Sequence, residues 1–303
     1  MHSIKRLLQA SIFVITISAA TQPSAQPALS AEEIMQKVDF ATRKAFKTQI
    51  AHVKITTCRY KMVAGAVKCS EKPRSVIAEN AKKVKLDGDL YSDRQLSIVR
   101  EPASDKGTGL LVYEYGERGR DNDNWLYLPA LGKVNRVIAN DDEGGSVFGS
   151  EFSVETTENP EARKFHEYTY KLLEDTKFQG RNAWMIELTP TAEKARKTKY
   201  GKVVVWIDKE SFITLKEDLY RGGRIHKQRT QSGIRRVDGI YVSTKVVMNN
   251  MSASRVSQMD KMSMRHDVEI DDEYLTQRSL TDFAFRERNL ARFRTELSQS
   301  KGK

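Results

Sequence analysis

Residues 202–220 read KVVVWIDKESFITLKEDLY, two β-rich runs at 202–208 and 213–220 separated by a few turn-forming residues. Valine, isoleucine, tryptophan and tyrosine at such density favour strands. A connection this short joins neighbouring antiparallel strands, because a parallel pair needs a long crossover. Outward from this pair the signal repeats. Residues 183–188 (AWMIEL), 240–248 and 256–268 are further strand-like runs, and Asp87-Gly88, Arg221-Gly222-Gly223 and Asp238-Gly239 are hairpin-grade turns. No β-α-β alternation appears between residues 52 and about 270, so the expected fold is mainly β: a meandering antiparallel sheet.

Helices are expected at the two ends. Ser30 followed by Glu33 forms a capping-box pattern, and Ile34, Val38 and Ala41, with Phe46 behind them, recur at helical spacing. This predicts a helix over residues 31–46. Ala192-Glu193-Lys194-Ala195-Arg196 reads as a loop or a single helical turn. At the far end Leu280, Phe283, Leu290, Phe293 and Leu297 form the apolar stripe of a basic helix that carries Arg286, Arg288, Arg292 and Arg294. Such a helix either packs on the sheet or meets an anionic membrane surface or a transporter.

The first residues fit a secretory leader. Lys5 and Arg6 precede an uncharged run to Ala20, and small residues end it, with cleavage expected between Ala20 and Ala25. A membrane anchor is the other reading, but the run is short for a span and contains Gln9, Ser11 and Thr16. The segmentation is then residues 1–20 leader, 21–30 flexible remnant, 31–279 the main domain and 280–303 the basic helix. Export implies the periplasm, where disulfides persist. Cys58 and Cys69 are the two cysteines of the chain. If residues 55–61 and 66–72 pair around Met62-Val63-Ala64-Gly65, Cys58 falls opposite Cys69, close enough to bond. Two unconnected thiols are the alternative.

Composition narrows the function. The chain has 303 residues, 39% of them hydrophobic, and a formal charge of +11, two fewer without Lys5 and Arg6. Such a charge usually suggests nucleic acid, but an exported protein does not meet it; anionic lipid headgroups or an acidic partner fit better. No catalytic constellation appears. His52, His166, His226 and His266 lack metal spacing, and Gly145-Ser146-Val147-Phe148-Gly149 misses the nucleophile elbow by one position. Asp141-Asp142-Glu143 reads as a solvated acidic turn more simply than as a cation site. Neither enzyme activity, a cofactor nor a metal is expected.

One block carries a family resemblance. Residues 125–155 read WLYLPALGKVNRVIANDDEGGSVFGSEFSVE, with Leu128-Pro129-Ala130-Leu131, Lys133 and Arg136, and Gly149-Ser150-Glu151-Phe152-Ser153 as its landmarks. Tyr170-Lys171-Leu172-Leu173, Ile186-Glu187-Leu188-Thr189-Pro190 and residues 200–209 continue it. The chain resembles, over residues 34–280, the LolA-like superfamily of outer-membrane lipoprotein-sorting proteins, in the branch associated with RND-type transporters. The resemblance implies a strongly curved antiparallel sheet, an incomplete β-barrel, with covering helices. It also implies a periplasmic carrier of lipid or lipoprotein cargo, without covalent chemistry, that meets an inner-membrane RND-type transporter. An accessory subunit that carries no lipid and a periplasmic hydrolase are the alternatives. A carrier needs a large apolar surface. The lipid-binding residues expected for it are Trp125, Tyr127, Trp184, Ile186, Trp206, Val246, Met248, Met262 and Met264, methionine being well suited to irregular cargo. Leu128, Pro129, Leu131, Lys133, Arg136 and Phe152 are expected at its rim or at a partner contact.

Overall fold

The computed structural model describes residues 29–87, 90–138, 145–155, 158–160 and 163–299. The leader, most of the remnant, Gly88 and the acidic trio at 141–143 lie outside the described residues.

Fourteen strands among the described residues form one antiparallel sheet. In chain order they are β1 (Thr48–Val63), β2 (Ala66–Cys69), β3 (Arg74–Asp87), β4 (Leu90–Glu101), β5 (Gly109–Tyr115), β6 (Asp123–Leu128), β7 (Lys133–Arg136), β8 (Tyr168–Phe178), β9 (Arg181–Pro190), β10 (Lys202–Asp208), β11 (Thr214–Arg221), β12 (Arg224–Val237), β13 (Ile240–Asn250) and β14 (Arg255–His266). The spatial order is β7-β6-β5-β4-β3-β1-β14-β13-β12-β11-β10-β9-β8, with β2 attached to the end of β1. Two meanders thus meet at the centre, where β1 pairs with both β3 and β14. The edges β7 and β8 do not pair with each other, so the sheet stays open and is not a barrel. The residues from 137 to 167 carry the chain from one edge to the other.

Side-chain alternation gives this sheet two faces with different covers. Val205, Glu217, Arg229, Met248, Ser257 and Thr57 are paired in succession across six strands, and so share one face, here termed the pocket face. Ile50, Ala81, Leu96, Leu111 and Trp125 form the corresponding row on the reverse face.

At the β8–β11 end the pocket face is covered by helix α1 (Ala31–Asp39). Its capping box is formed, Ser30 accepting from the Glu33 backbone and Glu33 from that of Ser30. Ala31, Ile34, Met35 and Val38 pack on Tyr168, Ile186, Leu188, Val203 and Val205. The α-helix is shorter than expected because residues 40–44 continue as a π-helical turn. Between β9 and β10, Ala192–Ala195 forms a single turn, α2, whose N-cap is Thr191.

The reverse face is covered at its β1–β6 part by α3 (Arg278–Thr281) and α4 (Phe283–Gln299). Leu280, Phe285, Leu290, Phe293 and Leu297 bury there with Ile50, Leu96 and Leu111. Each fully buried side chain of this size contributes roughly 1.5–3 kcal/mol. Phe283, expected on the stripe, is 58% exposed because the Asp282 break before α4 resets the helix phase. Most of the tail arginines are drawn into the fold. Arg286 is buried and donates to the Ser279 and Leu280 carbonyls; Arg292 donates to that of Glu269.

Arg294 clamps the helix by two hydrogen bonds to the buried carboxylate of Glu79, at 2.5 and 2.6 Å, and His52 joins it at 3.1 Å. Burial would raise the Glu79 pKa, but the bonds from Arg294 and His52 outweigh it and hold the carboxyl at about 2. A carboxyl with a depressed folded-state pKa stabilises fully above its unfolded value, and that contribution is lost on acidification through the folded one. Thermal melts should therefore show a component lost between pH 4.5, the usual value, and about 2. Glu79→Gln should remove that component and leave a less stable protein at neutral pH.

The cysteines are joined, with Cα atoms 5.7 Å apart. The register differs from the expected one. The turn uses only Ala64 and Gly65, both with positive φ, so Tyr60 rather than Cys58 lies opposite Cys69. Cys58 is one pair further along on the same side, and the strong twist of a two-stranded ribbon brings this diagonal close. Cys58→Ser should lower the stability by about 2–3 kcal/mol, the worth of so short a closed loop. The large sheet should still fold, which a melting curve on the variant would show.

Candidate functional site

The pocket lies where β1, β3–β5 and β12–β14 meet on the pocket face. Its wall changes character along the strands. Inward residues of β1 run Ile55, Val53, Ala51, Gln49. On β3 and β4 the partners follow the same trend: Val53 is flanked by Ala78 and Val99, Ala51 by Asn80 and Ser97, and Gln49 by Lys82 and Gln95, whereas on the neighbouring strands Lys261 lies opposite Val53, Met264 opposite Ala51 and Val112 opposite Gln95. Leu110, Val112, Val246, Met248, Met259 and Met264 complete the apolar part. Glu114, Glu158, Asn159, Arg229 and Lys261 add polar lining. Asn80 donates to the Ser97 hydroxyl at 2.8 Å, and beyond Gln95 the Lys82–Asp93 ion pair is buried at 2.9 Å. From Ile55 to Gln49 the gradient extends roughly 20 Å, at ~3.4 Å per residue.

A loop from the long connection closes the apolar end. Residues 145–155 fold back on themselves: Val147 donates to the Phe152 carbonyl and Val154 to that of Gly145, both at 2.9 Å. This hairpin-like turn, with Phe148 and Gly149 both at positive φ, lays Phe148 and Phe152 onto Val53, Ile55 and Met248. Polar tethers hold it from the sheet. Arg74 donates to the Phe148 carbonyl at 2.6 Å, Arg255 and Asn250 to the Glu151 carboxylate at 2.5 and 2.7 Å, and Ser257 accepts from the Glu151 backbone. Lys227 reaches both the Glu151 carbonyl and Glu158, which also accepts from Tyr200 at 2.6 Å. Burial and the neighbouring Glu158 push the Tyr200 hydroxyl well above its usual pKa, so it stays a donor. With the loop in place the cavity has a volume of about 160 Å³, comparable to one that admits a benzene-sized group.

The expected lipid-binding residues divide among five places. Val246, Met248 and Met264 line the pocket. Ile186 is buried beneath α1, and Trp184 packs beside it with its ring stacked on Phe212 at 5.6 Å. Trp125 and Tyr127 pack on the reverse face with the C-terminal helices, Trp125 edge-on to Tyr113 at 4.9 Å. Trp206 also faces away, beneath the Lys216 ammonium at 3.9 Å. Met262 is 46% exposed for a specific reason. It is the extra residue of a bulge between β14 and β1, which turns it outward and, by flipping the alternation, brings Met264 inward.

Of the residues expected at the rim, Phe152 is in the pocket wall. Leu128, Pro129, Leu131, Lys133 and Arg136 lie on or between β6 and β7 at the far edge of the sheet, and Arg136 pairs with Asp123. They do not line the pocket. The residues that sequence reasoning missed are mostly on β1 and β5. The alternation Ala51-Val53-Ile55 between His52, Lys54 and Thr56 marks a strand in the sequence, but not which face of the sheet bears the pocket. The pocket side of Phe148 and Val147 has no local sequence signal.

Three histidines bond within the fold: His52 joins Glu79, His226 contacts the Ser252 hydroxyl at 2.6 Å, and His266 lies against Gln49 and the Val237 carbonyl. Among the described residues no helix is long and apolar enough to cross a membrane.

The fold has well-matched solved relatives. A DUF1329 family protein from Desulfovibrio piger is 24% identical, with a TM-score of 0.71 over 82% of this chain and 97% of that one. A putative outer membrane lipoprotein-sorting protein domain from Vibrio parahaemolyticus is 23% identical, with a TM-score of 0.68 over 83% and 98%. A LolA superfamily protein from Nitrosomonas europaea is 20% identical, with a TM-score of 0.56 over 82% and 98%. At these identities the likeness establishes the fold, an open LolA-like sheet. No curated protein matches the sequence. A family profile with the description "Uncharacterized protein" matches residues 91–282. As that match takes in most of the sheet and more than half of the sequence, the chain belongs to this family, and its structural neighbours are the DUF1329, lipoprotein-sorting and LolA superfamily proteins.

Proposed function

We propose that this protein is a periplasmic, non-enzymatic carrier that holds a lipid, or the acyl chains of a lipoprotein, on the pocket face. It passes them between an inner-membrane transporter of RND type and the outer envelope. The observation that carries this reading is the gradient of the pocket wall along β1, β3 and β4, from Ile55, Val53 and Ala78 to Gln49, Asn80 and Gln95. Such a wall matches an amphiphile, with acyl carbon along the valines and methionines and the polar head toward the amides. Each methylene taken from water contributes about 0.8 kcal/mol, so even a partly accommodated chain binds firmly. The LolA-like fold and the sorting description of the Vibrio relative support the same reading, as does the leader-like sequence. Segmentation into leader, carrier domain and C-terminal basic helix belongs to this proposal too, with the helix acting as a fixed cover of the reverse face. Titration with a fluorescent fatty acid tests it: saturable binding, displaced by phospholipid, is expected. Absence of binding would favour an accessory subunit that carries no lipid.

A further inference from the structure

The β1–β2 hairpin, exposed, basic and apolar at once, extends beyond the end of the sheet and has no other strand beside β2. Met62 and Val67 are directly opposed near its tip and are 59% and 46% exposed. Lys61 and Lys68 are directly opposed on the other side, both exposed, and Arg59 and Lys72 follow in the exposed stem. Two lysines paired across a ribbon repel each other, a cost that an anionic surface outside the protein would offset. The element is built to be stiff. The Cys58–Cys69 disulfide staples its base, the Glu71 carboxylate accepts from the Arg59 backbone at 2.9 Å, and the tight Ala64-Gly65 turn leaves no bulky side chain at the apex.

We propose that this hairpin is a membrane-docking wedge, whose Met62 and Val67 enter the interface of an anionic lipid bilayer while Lys61, Lys68 and their basic neighbours engage the headgroups. Charge complementarity and shape both favour a bilayer over a protein partner. A narrow tip with two apolar side chains offers far less than the area of a stable protein interface, about 800 Å² per partner, but it suits shallow insertion at a membrane surface. The position fits as well: the hairpin continues β1 past Ile55, the apolar end of the pocket, and past the loop that closes it. The inference rests on the carrier reading, since docking brings that end to the source or destination of the lipid.

The test is sedimentation of the full-length mature protein with vesicles of phosphatidylcholine alone and of phosphatidylcholine with phosphatidylglycerol. Binding to the anionic vesicles, weakened by salt, is expected, and little binding to the neutral ones. Lys61→Glu/Lys68→Glu should weaken anionic-vesicle binding by about tenfold or more. Met62→Ser/Val67→Ser should weaken it with the salt dependence retained. Met62→Trp should show a blue-shifted emission with anionic vesicles beyond that of the wild type. All these positions are exposed, so melting temperatures should hold and check the fold. Equal binding by the charge-reversed variant, or failure of the wild type to bind, would overturn the proposal, and the latter outcome would point to an acidic protein as the partner. Fatty-acid binding measured on the same variants separates the two claims: it should be unchanged when docking is lost, and its absence in the wild type would defeat the carrier reading alone.

Discussion

Arg163→Met should lower the stability by about 3–5 kcal/mol. Arg163 and Glu217 form an ion pair at 3.2 Å with side chains only 4% and 1% exposed. The pair ties the end of the long connection to β11 on the pocket face. One Glu217 oxygen already lacks a hydrogen-bond partner, so removal of the guanidinium leaves a buried carboxylate poorly compensated. The Arg163 carbonyl also accepts from Arg43, so a shift of this segment would disturb the π-helical turn after α1. A thermal melt should fall by roughly 10 °C. Arg163→Met/Glu217→Leu should recover much of the loss, because an apolar pair of similar volume avoids the desolvation cost. A double variant no more stable than the single one would show that the ion pair is not the cause.

Met259→Glu is expected to weaken acyl binding by about a hundredfold while the protein stays folded. Met259 lines the pocket and is only half-buried, so without a guest its replacement remains in contact with water. An acyl chain laid over it would have to strip a carboxylate of solvent. A cost of about 3 kcal/mol for that desolvation corresponds to two orders of magnitude in affinity. Met248→Glu provides the contrast. Met248 is 1% exposed, in the same buried cluster as Phe152, and a carboxylate there should damage the fold itself. Fatty-acid titration and melting on both variants distinguish an open wall from a sealed core: similar behaviour of the two would contradict the assignment of Met259 to an accessible wall.

The sheet was legible where one face is apolar and the other polar, or where both are apolar. Residues 202–220 contain β10 and β11 almost to the residue, and Gly222-Gly223 and Asp238-Gly239 are turns as their composition implies. The first helix was legible from its capping box, and the disulfide from cysteine spacing and compartment. β12 was not legible. Its sequence, RIHKQRTQSGIRRV, is polar on both sides because its inward residues Lys227 and Arg229 sit in a buried polar network rather than an apolar core. β3 is hidden similarly: inward Asn80 and Lys82 and outward Glu79 all satisfy tertiary partners.

The site was legible only in part, for a reason of geometry. Strand residues announce that they alternate, but not which face bears the pocket. Trp125 and Tyr127 belong to a row under the C-terminal helices, while Val246 and Met248 belong to the pocket, and only the registers across the whole sheet separate them. A single bulge decides between Met262 and Met264. Phe152 was visible through the family block, although its place is the closing loop of the pocket rather than the β6–β7 edge where the other expected rim residues lie.

The most direct test of the carrier account is mass spectrometry of an organic-solvent extract of the protein, expressed with its leader-like N-terminus and purified without detergent, beside the same extract of Met259→Glu. The account predicts lipid or fatty acid near one equivalent per wild-type protein, and a loss of most of it in the variant although that variant melts normally. Equal lipid in both, or none in a wild-type protein that also fails to take up added fatty acid, would contradict it.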